Sequence, residues 1–199
     1  MAAKPCDILQ YARRPAQPAL TPFRQRCSYR PRVARVSKGF GILSIQDAKE
    51  SGVVGPTARA SGIACDARSQ DPLYAQLGWH MITRSEGDNY SRIMLRFDEL
   101  FQSAQIIKNA LATLPGGTIR LGGRITAGRT KHTIEAPRGD LTYDIEVDEN
   151  GQVISVAIQT PSIMNVEVGS HAMMKNLASA ADVTSTFISA EPCIAWAER

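Results

Sequence analysis

The chain has 199 residues, 43% of them hydrophobic and 21% charged, which suits one globular domain with or without an appendage. No run approaches the ~18 consecutive apolar residues that a bilayer-spanning helix needs. The formal charge of +4 conceals an asymmetry, because residues 1–38 hold nine Lys/Arg against the single acid Asp7 and the remainder is net negative.

Residues 1–38 also contain five of the eleven prolines and no sustained hydrophobic period. Such a stretch buries too little apolar surface to offset the entropy of ordering it, so it is expected to lack regular structure. It reads as a solvated basic tail, an organelle presequence, or a mis-started or frame-shifted lead into a truncated gene. Arginine-driven nucleic-acid binding is a further reading of the basic residues, and it is not the favoured one. A second unit is expected over 39–199.

From residue 39, "GFGILSIQDAKESGVVGP" predicts a short apolar strand, then a helical turn capped by Ser44 and ended at Gly52. "GPTARASGIACDARSQDP" (55–72) reads as a loop carrying two arginines, Arg59 and Arg68. Residues 88–113 give the clearest helix. Apolar Tyr90, Ile93, Met94, Phe97, Leu100, Phe101, Ala104, Ile107, Ala110 and Leu111 recur at three- and four-residue steps and predict one buried stripe. Asp88 is placed to cap this helix and "LPGG" (114–117) to stop it. A β-hairpin is expected next, with strands near 141–147 and 153–160 joined at Glu149-Asn150-Gly151. Two short helices, 170–179 and 182–190, the second capped by Asp182, then deliver the C-terminal "EPCIAWAER".

Few residues carry an obvious chemistry. "GFGILS" and "GGTIRLGGR" have the wrong spacing for a dinucleotide or phosphate loop. His80, His132 and His171 are far apart in sequence and read as satisfied surface or core histidines. The four cysteines, Cys6, Cys27, Cys65 and Cys193, show no CxxC spacing, so neither a zinc knuckle nor an iron–sulfur run can be read; their scatter suggests a reducing compartment. In "EAPRGD" (135–140), Pro137 and Gly139 would hold Arg138 on a stiff turn, as a fixed positive charge or as a surface ion pair. Glu191, beside Cys193, could relay protons or cap a turn.

Together, "GVVGPTARASGIACDAR", "EGDNYSRIMLRFDELFQSAQIIKNAL", "EAPRGDL" and "EPCIAWAER" resemble, in order and spacing, the C-terminal half of the large subunit of membrane-bound, energy-converting nickel–iron hydrogenases. They are also similar to the related quinone-site subunit of respiratory complex I. The resemblance covers about residues 39–199. It implies an α+β, mainly helical fold like a truncated nickel–iron hydrogenase large subunit, with a long core helix and a small antiparallel hairpin. Four thiolates hold a nickel–iron centre in that family, two of them from a closing Asp-Pro-Cys-x-x-Cys motif. Cys193 falls on the first of these, a terminal nickel ligand. Arg138 falls on the arginine that overhangs the metals, and Glu191 replaces the usual aspartate as a proton-transferring acid. Arg199 falls where maturation trims the chain.

The departures matter as much. Trp196 stands where the bridging cysteine belongs, and the N-terminal CxxC is missing, so this chain alone is expected not to assemble the centre. The resemblance therefore implies a truncated or degenerate subunit of an energy-converting hydrogenase complex. Its partners would be an iron–sulfur small subunit and membrane ion-pumping subunits, and its place the inner face of the cell membrane, peripherally and on the cytoplasmic side. The other implied role is a metal-free subunit of a complex I-like NADH or ferredoxin:quinone oxidoreductase.

Overall fold

The computed structural model describes residues 31–115, 123, 125–175 and 177–193. Helix α1 (Pro31–Ser37) lies inside the segment expected to be without regular structure. Residues 40–43 form no strand. Instead this stretch turns along the start of the long helix: Leu43 N donates to Gly87 O at 2.9 Å and Asn89 N to Phe40 O at 3.0 Å. Ser44 caps α2 (Ile45–Glu50) as the sequence indicates, its hydroxyl accepting from Asp47 N.

The loop expected over 55–72 is mostly helical: α3 spans Gly55–Ala60 and a 3-10 turn spans Ala67–Gln70. Gly-Pro suggests a turn, but Pro56 sits in the first turn of α3, where its missing N–H has no helical partner to lose. Asp71 caps the short α4 (Pro72–Gln76). Helix α5 (Asn89–Thr113) has the bounds the periodicity gives: Asp88 accepts from Ser91 N, and the backbone turns extended at Leu114, before Pro115.

The hairpin is part of a three-stranded antiparallel sheet, β1 (Gly128–Ala136), β2 (Gly139–Val147) and β3 (Val153–Gln159) in that order. Strand β1 escapes notice because it is polar and exposed along most of its length. The Asn150-Gly151 turn is placed as expected, with Gly151 at φ 79° and Asp148 accepting from the N–H groups of Asn150 and Gln152.

After β3 the chain forms a π-helical stretch (Ile163–Val168), α6 (Gly169–Met174) and α7 (Ala180–Ser189). Ser179 caps α7, while Asp182, expected in that role, sits three residues on. The Ser179 hydroxyl accepts from Asp182 N at 3.1 Å and donates to Asp182 Oδ2 at 2.6 Å, so the aspartate supports the cap without being it.

Leu43, Ala48, Val53, Ala58, Ala172, Met173 and Ala190 form the apolar core, between α2, α3, α6 and the end of α7. The stripe read as core on α5 is mostly half-exposed: of its ten residues only Met94 is buried, and Leu100 and Ile107 are 45% and 57% exposed. The buried face of α5 carries Asn89, Ser91, Arg92, Met94, Leu95 and Gln102. Among the described residues no helix is long and apolar enough to cross a membrane.

One backbone contact aims the β1–β2 turn. Gly55 (φ 66°) and Gly139 (φ 126°) approach so closely that a Cβ on Gly55 would lie 2.4 Å from Arg138 O. Buried Asn165 spans the same junction, accepting from Val54 N and donating to Arg138 O, both at 3.0 Å. Replacing Gly55 with alanine meets both the positive φ and the clash, so Gly55→Ala should lower unfolding free energy by at least about 2 kcal/mol in a denaturant titration. A change within error would show that the two turns do not touch in solution.

Candidate functional site

Three elements converge on a cavity of about 740 Å³, bounded by α5, α7 and the β1–β2 turn. One side is apolar, from Ile93, Phe97, Leu100 and Ile188; the other carries arginines and carboxylates. Arg96 and Glu99 bring α5 into the charged side. Arg92, Arg96 and Glu99 recur at four and three residues, so they share a face as surely as the apolar residues do.

Arg59, on α3, is 1% exposed and collects carboxylates from three directions. Its Nε donates to Glu99 Oε1 of α5 at 2.8 Å, and its Nη1 lies 3.0 Å from Asp66 Oδ2 and 2.9 Å from Glu135 Oε1 of β1. Arg68 closes the far side by a two-pronged grip on Asp66, at 2.9 and 2.6 Å, and its guanidinium lies over Trp79, 5.5 Å from the ring centroid. A buried guanidinium is tolerated when counter-charges and hydrogen bonds replace its water. The carboxylates around Arg59 raise its already high proton affinity, against the opposing pull of burial.

Arg92 solves the same problem without a carboxylate. It is fully buried and donates to Ser189 Oγ at 2.9 Å, Gly87 O at 2.6 Å, Gly41 O at 2.7 Å and Asn89 Oδ1. Burial, with repulsion from Arg96, pulls its pKa down to about 9, which leaves it charged at neutral pH. Through these bonds one side chain ties the start of α5 to the 39–43 segment and to the end of α7.

The candidate residues Arg138 and Glu191, 53 positions apart in sequence, are in contact: Arg138 Nε donates to Glu191 O at 2.8 Å, and its Nη2 is 3.7 Å from Glu191 Oε1. Arg96 grips the other carboxylate oxygen, its Nε 3.0 Å from Oε2, and also donates to Ser189 O and Ala190 O. Burial pulls the Arg96 pKa down, opposed by Glu191 and Glu99. Glu191 takes φ 59°, alone among the described non-glycine residues in having positive φ, at the residue that follows the α7 cap. Glycine usually occupies that place, so the side chain is kept despite a backbone cost.

Cys193 follows two residues later and is half-buried. Trp196 and Arg199 lie outside the described residues. The three histidines are exposed on separate segments. Arg59, Asp66, Glu99, Glu135, Arg92 and Arg96 were not singled out as site residues from sequence, although the i, i+4, i+7 spacing on α5 was there to be read.

This arrangement belongs to a recognisable class. Over 97% of this chain and 56% of the other, the fold superposes with TM-score 0.78 and 25% identity on a chain of the membrane-bound sulfane sulfur reductase, an archaeal respiratory membrane complex. Residues 19–123 match the family described as respiratory-chain NADH dehydrogenase, 49 Kd subunit, and the chain belongs to that family.

Curated relatives include the carbon monoxide-induced hydrogenase of Rhodospirillum rubrum, 33% identical over 173 residues, 85% of this chain and 47% of that protein. An NADH-quinone oxidoreductase subunit of Solibacter usitatus is 35% identical over 136 residues, 65% of this chain and 37% of its own. A subunit of the F(420)H(2) dehydrogenase of Methanosarcina mazei is 31% identical over 135 residues, 62% of this chain and 36% of its own. The chain thus spans less than half the length of these curated relatives.

A nickel–iron centre held by four thiolates does not fit the described residues. Among the described residues the free thiols are Cys65 and Cys193, the latter two positions after Glu191. Cys65 stands by the 3-10 turn, where burial and the carboxylates of Asp140 and Glu135 push its pKa up, disfavouring the thiolate a soft metal needs. Among the described residues no three of His, Cys, Asp or Glu are placed to hold a metal ion.

Two substitutions test the frame. Arg92→Met keeps the length but removes the bonds to two carbonyls and two side-chain acceptors, and should cost about 3 kcal/mol or more of stability; Arg92→Lys should recover little, because an ammonium lacks the planar fork. A melting temperature unchanged in Arg92→Met would contradict the bonding described. At position 191, Glu191→Gly and Glu191→Ala both lose the carboxylate, but only alanine keeps the left-handed strain. The glycine variant should be more stable by about 1 kcal/mol in denaturant titrations. Equal stability would mean that residue 191 is not held at positive φ.

Proposed function

We propose that the chain is an oxidoreductase subunit of a membrane-associated, energy-converting hydrogenase-type complex, in a truncated or degenerate form that builds part of the reaction chamber without holding the metals. The observation that carries this reading is the grip of Arg138 on Glu191. It joins the two motifs, "EAPRGD" and "EPC", that frame the metal site in the hydrogenases the sequence resembles, and Cys193 follows Glu191 by two residues. The likeness to the carbon monoxide-induced hydrogenase, over 85% of the chain, supports the same class.

In this reading the residues have separate tasks. Arg138 and Arg96 set a positive field at the cavity rim and hold the Glu191 carboxylate between them. Glu191 is the acid through which a proton enters or leaves, while α5 and α7 exclude water from the apolar side. Electrons would come from an iron–sulfur small subunit, and the membrane ion-pumping subunits of the complex would anchor the chain peripherally at the inner face of the cell membrane.

A second reading has its own support. Metal-free subunits of complex I-like quinone oxidoreductases need no thiolates, and the cavity, apolar on one side and charged on the other, suits a quinone headgroup and tail. Family membership and the NADH-quinone oxidoreductase relatives favour it equally. Elemental analysis of the chain purified from its native membranes decides between outcomes. The account expects an iron–sulfur partner to co-purify and no nickel in the chain. Stoichiometric nickel would contradict the degenerate reading, and absence of any redox partner would contradict both.

A further inference from the structure

Glu135 has no task in the reading above, yet it is the most confined glutamate of the cavity wall, with its side chain 3% exposed. Charged and titratable groups surround it on every packed element. Arg59 approaches from α3, Asp66 and Arg68 from the 3-10 turn with the Cys65 thiol just before it, and Glu99 from α5 across the Arg59 guanidinium. On β2, Asp140 is its direct cross-strand partner, where two like charges repel. Three of these acids, Glu135, Asp66 and Glu99, converge on the one Arg59 guanidinium.

Hydrogen-bond geometry bears on the same point. Arg59 Nη1 carries two hydrogens, but three oxygens lie close to it: Glu135 Oε1 at 2.9 Å, Asp66 Oδ2 at 3.0 Å and Cys65 O at 3.0 Å. Glu99 already takes the Nε hydrogen, and Arg68 already satisfies both oxygens of Asp66. Glu135 Oε1 is buried and, although 2.9 Å from Arg59 Nη1, receives no directed hydrogen bond, an arrangement that a carboxylic acid fits. The other Glu135 oxygen accepts only a long bond, 3.3 Å, from Ala67 N.

We propose that Glu135 holds a dissociable proton at neutral pH and exchanges it with the cavity, so that it serves as proton donor and acceptor for the molecule that reacts there. In the forward step the Glu135 O–H bond breaks and its electron pair stays on the carboxylate, which Arg59 then holds as an ion pair. The proton passes to an acceptor in the cavity, and no electron moves. Recovery of a proton from solvent reverses the step. Burial, opposed by Arg59 and aided by Asp66, pushes the Glu135 pKa up to about 7, which suits exchange in both directions.

This inference rests on the cavity being a reaction chamber, but its test uses no metal, partner or substrate. The full chain, labelled with carbon-13 at glutamate carboxyls, is titrated by NMR from about pH 5 to about pH 9, with Glu135→Gln assigning the signal. The expected result is a Glu135 midpoint near 7. Because the folded pKa is raised, the carboxyl favours the folded state most below its unfolded value of about 4.3, and that advantage is lost as pH rises through 7. Thermal stability should therefore fall over this window in wild type and not in Glu135→Gln. A Glu135 midpoint in the ordinary carboxylate range would overturn the proposal. Where Glu135→Gln does not fold at neutral pH, Glu135→Asp assigns the signal, and the midpoint decides in the same way. A midpoint near 7 in a chain that co-purifies with no redox partner would keep the proton site and discard the oxidoreductase reading.

Discussion

A guanidinium buried away from water must find its counter-charges inside the protein, and that requirement at Arg59 shapes this domain. Its partners come from α5, β1 and the turn after its own helix, so satisfying it brings together segments that share little apolar contact. The apolar core is small and rich in alanine and lies to one side. On the cavity side, ion pairs and hydrogen bonds fix the geometry in its place. Desolvation makes such a frame unforgiving, since loss of one member leaves another buried and unpaired. Arg92 extends the logic with carbonyls instead of carboxylates, and Arg96 carries it to the tail.

What the sequence disclosed follows from locality. Helix α5 was legible to its ends because a cap, a period and a Pro-Gly stop are all local signals. The β2–β3 hairpin was legible for the same reason, through Asn150-Gly151. Which face of α5 is buried was not legible. The apolar residues mark one stripe, yet the protein buries Asn89, Arg92 and Gln102, whose bonding partners are Thr186, Gly87 O, Gly41 O, Ser189 and His80 O. A scale that counts apolar side chains cannot register polar burial paired by tertiary contacts. Strand β1 was missed because a strand exposed on both faces has no pattern to show.

The candidate site divides in the same way. Motif resemblance picked out Arg138 and Glu191, and the fold joins them through a turn pinned by Gly55 and Asn165. Resemblance could not disclose the Arg59 cluster, because nothing in "GPTARASGIACDAR" says that Arg59 points inward to meet Glu99 and Glu135. The half-exposed apolar residues of α5 and the 65% exposure of Ile188 accord with a chain that covers 56% of its structural neighbour, for in a longer fold such residues have something to pack against.

Whether one internal cation truly organises the cavity wall is best measured by a double-mutant cycle. Denaturant unfolding of the full chain would be compared for wild type, Arg59→Met, Glu99→Gln and the pair. A frame of mutually dependent buried charges predicts a coupling above about 1 kcal/mol, with the double variant less damaged than the two losses added together. Strict additivity would mean that the two side chains stabilise the domain independently, and the architecture would need another explanation.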